Sequence, residues 1–117
     1  MGVTEAGSTK EPRTERSGSL TLEVRASEDS VVLGLVGELD LACAELLRDE
    51  INAAEASNAP RIIVDLSGLE FVDSTGLEVL VRAHQRSQAS SHQFEIRGAS
   101  GDVARILELT GLIGFLG

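Results

Sequence analysis

Between Arg61 and His84 the sequence RIIVDLSGLEFVDSTGLEVLVRAH changes its hydrophobic period once, and that change limits the folds open to the chain. Ile62, Ile63 and Val64 form a continuous apolar run, the pattern of a strand buried on both sides. Leu77, Leu80, Val81 and His84 then recur at helical spacing, so a helix follows. Between them stand Asp73, Ser74, Thr75 and Gly76. A buried strand that passes directly into a helix is half of a β-α-β unit, and such units build parallel sheets through right-handed crossovers.

The flanking sequence supplies the other elements. SLTLEVR from Ser19 alternates, with Leu20, Leu22 and Val24 on one face and Thr21, Glu23 and Arg25 on the other, as a half-exposed strand does. ASEDS makes a short turn, and VVLGLVG from Val31 is a second strand, predicted to pair with the first antiparallel. ELDLACAELLRDEINAAEASNAP reads as a helix capped by Asp40, with Leu41, Ala44, Leu47 and Ile51 inward and Asn58 and Pro60 at its end. The segment RIIVDL, ending near Leu66, is the next strand. QFEIRG follows the second helix as a strand, and GDVARILELTG is a third helix stopped by Gly111. The order is β-β-α-β-α-β-α. It predicts an α/β fold with a mixed sheet of four or more strands, mostly parallel, carrying an antiparallel edge strand. Residues 1–18 hold almost nothing to bury and are expected to form a disordered tail, with a single domain over 19–117. The closing LIGFLG is apolar enough to dock on that domain.

Composition narrows the partners. The net charge is −9, from 19 acidic against 10 basic residues, so the surface repels nucleic-acid phosphates and anionic membranes and suits a basic partner. No apolar run approaches the roughly 18 residues that cross a bilayer, and the polar N-terminus lacks the core of a secretory signal. The expected location is the cytoplasm. Cys43 is the one cysteine and reads as a small apolar helix residue. Two histidines and one cysteine at scattered positions do not compose a metal site.

Catalytic chemistry is hard to assemble. Ten helical residues separate Ser74 from His84, about 15 Å at 1.5 Å per residue, whereas a nucleophile and its base must lie about 3 Å apart. His84 falls on the apolar stripe as a packed imidazole, and His92 sits in the polar loop SQASSHQ. Val72 occupies the first glycine position of a G-x-S-x-G elbow. GASG at 98–101 lacks the Lys-Ser/Thr of a phosphate-binding loop and reads as a turn before a helix.

Two readings remain for Asp73-Ser74-Thr75. One is capping, for which Thr75 with Glu78 satisfies the capping-box pattern. The other is a switch. The turns after the strands ending near Val36 and Leu66 should open at one carboxyl edge of the sheet, bringing Glu38 and Asp40 towards Ser74. A hydroxyl at a helix N-terminus stands beside free amides, where a phosphate is locally stabilised, with Gly76 letting the backbone come close. The same phosphate adds about −1.5 to −2 charges to an already acidic edge.

VGELDLACAELL, IIVDLSGLEFVDSTGLEVLVRA and FEIRGAS together resemble the STAS-domain anti-sigma-factor antagonists of bacteria, over about residues 19–113. The specific signal is Asp-Ser-Thr-Gly-Leu at a strand-to-helix turn together with Gly-Glu-Leu-Asp before the first helix. The resemblance implies a binding protein rather than an enzyme, with no cofactor. Unphosphorylated, it would bind an anti-sigma factor that is itself a serine kinase and so free a sigma factor. The kinase would then phosphorylate Ser74 and lose its hold, and a serine phosphatase would reverse the step. Glu38, Asp40, Asp73, Thr75, Gly76 and Leu77 are the implied partner-binding set, with Asp40 meeting a basic side chain of the kinase. Glu78 departs from the small residue common at its position. The same fold also serves as a subunit of transporters and stress-signalling assemblies, where Ser74 would be mainly a helix cap. A small nucleotide-binding or hydrolytic protein is the remaining class.

Overall fold

The computed structural model describes residues 11–111. Its elements are β1 (Arg13–Ser17), β2 (Leu20–Ala26), β3 (Val31–Leu39), α1 (Ala44–Ala56), β4 (Arg61–Val72), α2 (Ser74–Gln88), β5 (Gln93–Arg97) and α3 (Gly101–Thr110). The five strands lie in chain order, β1-β2-β3-β4-β5. β1/β2 and β2/β3 pair antiparallel, and β3/β4 and β4/β5 pair parallel. The sheet is thus mixed as expected, with β1, β3, β4 and β5 running one way; the antiparallel strand β2 is not at the edge, because β1 pairs outside it.

β1 corrects the expected tail. Residues 13–17 form a strand on the free edge of β2, in the register Arg13↔Val24 to Ser17↔Leu20. Its sequence RTERS offers no apolar alternation. What holds it is the backbone ladder, together with Arg13, whose two terminal nitrogens reach both carboxylate oxygens of Glu50 on α1 at 3.0 Å. The expectations for residues 1–10 and for LIGFLG lie outside the described residues.

Both parallel connections step the same way along the sheet, so right-handed crossovers place α1 and α2 on one face. That face carries the core: Leu20, Leu22, Leu33, Leu35, Ile62, Val64, Leu66 and Ile96 from the strands meet Leu47 and Ile51 of α1, Leu80 and Ala83 of α2, and Val103 and Leu107 of α3. Each large aliphatic side chain so buried contributes about 1.5–3 kcal/mol. The alternate strand residues face the other way, and there Glu23, Arg25, Arg61, Glu95 and Arg97 pair with one another.

β3 and β4 run further than their patterns imply. β4 continues six residues past Leu66 to Val72, and β3 continues to Leu39. Ser67-Gly68 has the composition of a turn, yet the ladder passes through it. Between the pairs Gly34↔Asp65 and Val36↔Gly68, β4 advances three residues while β3 advances two. Such a bulge frees an amide from the ladder. Asp65 accepts from the Ser67 N–H at 3.0 Å and from its hydroxyl at 2.8 Å. A second bulge places Glu70 between the pairs Gly37↔Leu69 and Glu38↔Phe71. After it Leu39 and Val72 return to the core together.

Candidate functional site

The adjacent carboxyl ends of β3 and β4 are joined by one side chain, that of Asp73. Its N–H extends the ladder to the Leu39 carbonyl at 3.0 Å. One carboxylate oxygen accepts from the Gly76 N–H at 3.0 Å, which makes Asp73 the N-cap of α2. The other accepts from the Leu41 N–H at 3.1 Å, in the turn that follows β3. The expected capping box therefore belongs to neither Thr75 nor Glu78. Glu78 pairs with Arg82 at 2.8 Å, one helical turn on, and Thr75 lines a groove between α1 and α2 with Arg48, Arg82 and Arg86.

The turn after β3 is likewise hydrogen-bonded, and it delays α1. Asp40 accepts from the Ala42 N–H through its side chain at 3.1 Å, and through its carbonyl from Cys43 and Ala44 at 3.0 and 2.9 Å. The helix begins at Ala44 rather than just after Asp40. Leu41, expected on the inward stripe, consequently points to solvent. Cys43 is buried at this junction. Its thiol lies 3.3 Å from the Glu38 carbonyl and 3.4 Å from the Asp40 carboxylate, and burial pushes its pKa up.

Gly76 serves packing. A Cβ there would stand 2.5 Å from Leu39 Cγ, so only glycine lets the first turn of α2 settle on the end of β3. The close approach that the sequence suggested is thus to Leu39. Gly76 is buried, while Leu77 is partly buried against the core.

Ser74 is the first residue of α2, and it is exposed. Among the described residues no acceptor bonds the N–H of Ser74 or of Thr75, so the positive end of the helix dipole is open beside the hydroxyl. Glu38 is exposed, and Asp40 and Asp73 are half-buried; none of the three has an ion-pair partner among the described residues. Of the expected set, the structure brings Glu38, Asp40, Asp73 and Ser74 to the adjacent carboxyl ends of β3 and β4, while Thr75 faces the groove between α1 and α2 and Leu77 packs partly against the core. It makes Asp73 a clamp and Gly76 a spacer. Neither histidine joins them: His84 lies ten residues along α2, and His92 meets Ser90 in the loop before β5 at 2.7 Å.

The chain has known relatives. The family model for the STAS domain matches residues 21–116. The chain belongs to the STAS domain family. Among relatives, the anti-sigma-F factor antagonist RsfB of Mycobacterium tuberculosis is 31% identical over 94 residues, covering 80% of this chain and 76% of RsfB. Among solved structures, an anti-sigma factor antagonist from Mycobacterium paratuberculosis superposes with a TM-score of 0.74 at 28% identity, covering 84% of this chain and 83% of the other. The Bacillus cell fate determinant SpoIIAA in its phosphorylated form shares the fold, with a TM-score of 0.67 at 21% identity over 92% of this chain and 89% of SpoIIAA. No helix of this STAS domain, among the described residues, is long and apolar enough to cross a membrane.

Proposed function

We propose that this STAS domain is a cytoplasmic anti-sigma-factor antagonist with no catalytic activity of its own. With Ser74 unmodified it binds an anti-sigma factor and so frees a sigma factor. The anti-sigma factor is also the kinase. It transfers the γ-phosphoryl group of ATP to the Ser74 oxygen, that oxygen loses its proton to a base of the kinase, and ADP leaves. The phosphorylated domain is released, and a serine phosphatase restores it by hydrolysis.

The observation that carries this reading is the exposed Ser74, set at a helix start and bordered by carboxylates. Asp73 already caps α2, so the Ser74 hydroxyl is not needed as a cap. That counts against the alternative of a transporter or stress-complex subunit in which Ser74 only caps. The family names of the relatives, anti-sigma factor antagonists, support the choice of partner.

The test is a binding titration with the anti-sigma factor encoded in the same genome. Ser74→Ala should bind as the unmodified domain does and resist inactivation by ATP. Ser74→Asp should bind about 3 kcal/mol more weakly, roughly a hundredfold. Equal affinity for all three forms removes the proposal.

A further inference from the structure

Two of the four large apolar side chains exposed among the described residues stand at the Ser74 edge, Leu41 at 74% and Phe71 at 47%; a third, Val36 at 56%, lies three residues back from the end of β3, opposite Gly68. The fourth, Leu109, is on α3. The exposure of the two at the edge is built in by separate devices. The bulge at Glu70 turns Phe71 outward beside Glu38. The Asp73 carboxylate holds Leu41 by its amide in the turn before α1. Interleaved with them are Glu38, Asp40, Glu70 and Asp73, which have no ion-pair partner among the described residues.

Exposed apolar side chains grouped on one edge mark an interaction surface. We infer, on the proposed function above, that Leu41 and Phe71 enter an apolar hollow rimmed by arginine or lysine on the anti-sigma factor, and that the switch works by desolvation. Charge alone has the wrong sign. A basic rim that welcomes Glu38 and Asp40 would welcome a phosphate on Ser74 more strongly still. An apolar contact pressed around Ser74 reverses that preference, because closing it would strip water from a dianion with no room for compensating partners. Release by this route is insensitive to salt, whereas repulsion between exposed charges is screened within about 10 Å at 0.1 M salt.

Calorimetric titration of the purified anti-sigma factor against the domain, at about 0.1 M and 0.5 M salt, tests the inference. Leu41→Ser and Phe71→Ser, both at exposed positions, should each weaken binding about tenfold or more, while Leu109→Ser leaves it unchanged. Circular dichroism confirms that each variant is folded. The defect of Ser74→Asp should persist undiminished at the higher salt. If Leu41→Ser and Phe71→Ser bind like the unaltered domain while Ser74→Asp does not, the apolar contact is refuted and the phosphorylation switch survives. Recovery of Ser74→Asp binding at high salt refutes the desolvation mechanism in the same way. Should Ser74→Asp bind as well as the unaltered domain at both salts, the switch itself fails and this inference with it.

Discussion

At Asp73, one carboxylate serves two elements. It caps α2 through the Gly76 amide and ties down the turn before α1 through the Leu41 amide. An N-cap is worth about 0.5–2 kcal/mol, and a further hydrogen bond to a charged group about 1.5–3 kcal/mol where it is buried, less here at a half-buried site. Asp73→Ala should therefore destabilise the domain by about 2 kcal/mol, read as a lower midpoint in urea denaturation. It should also weaken partner binding, since Leu41 loses its anchor. A stability change within about 0.5 kcal/mol would show that the clamp contributes little. The residues of this edge were legible because Gly-Glu-Leu-Asp and Asp-Ser-Thr-Gly-Leu are local motifs. Their division of labour was not, since Thr75 and Asp73 both fit a cap and only the bond to Gly76 decides between them.

At the scale of elements, the strands and helices with a clear period emerged where their patterns place them. The departures have a common cause in contacts distant along the chain. β1 has no apolar face and depends on the β2 ladder and on Glu50, 37 residues after Arg13. β4 passes through Ser67-Gly68 because Asp65 satisfies the amide that the bulge releases. α1 starts late because Asp40 and Cys43 close a turn of their own. Hydrogen bonding and charge pairing with Glu50 hold the Arg13 guanidinium firmly protonated, yet Arg13 is half exposed, and exposed pairs of this kind add at most about 1 kcal/mol. Arg13→Ala should consequently speed hydrogen exchange at the β1 amides while leaving global stability within about 1 kcal/mol. Loss of the whole fold on that substitution would mean that β1 nucleates the sheet rather than trims its edge.

Across the whole molecule, the linear strand order puts α1 and α2 on one face, and charged side chains pair across the other. Glu95 sits there between Arg61 at 2.6 Å and Arg97 at 3.0 Å, and the hydrogen bond from Arg61, followed by that from Arg97, holds its carboxyl below the ordinary carboxylate range. A carboxylate with a lowered folded-state pKa stabilises the fold above its unfolded value, and that contribution disappears as pH falls through the lowered one. Urea midpoints measured from neutral to acid pH should fall in that window, and Glu95→Gln should make the fall shallower. An unchanged acid profile in Glu95→Gln would assign the loss to other carboxylates.

The opposite arrangement holds at the carboxyl ends of β3 and β4, where acids stand unpaired around one exposed hydroxyl. Incubation of the domain with the anti-sigma kinase and ATP, followed by mass mapping of the modified residue, probes that arrangement directly. A single phosphate on Ser74, retained in Thr75→Ala and absent from Ser74→Ala, is the predicted result. Full labelling of Ser74→Ala, with the phosphate mapped to Thr75 or to a site away from this edge, would contradict it.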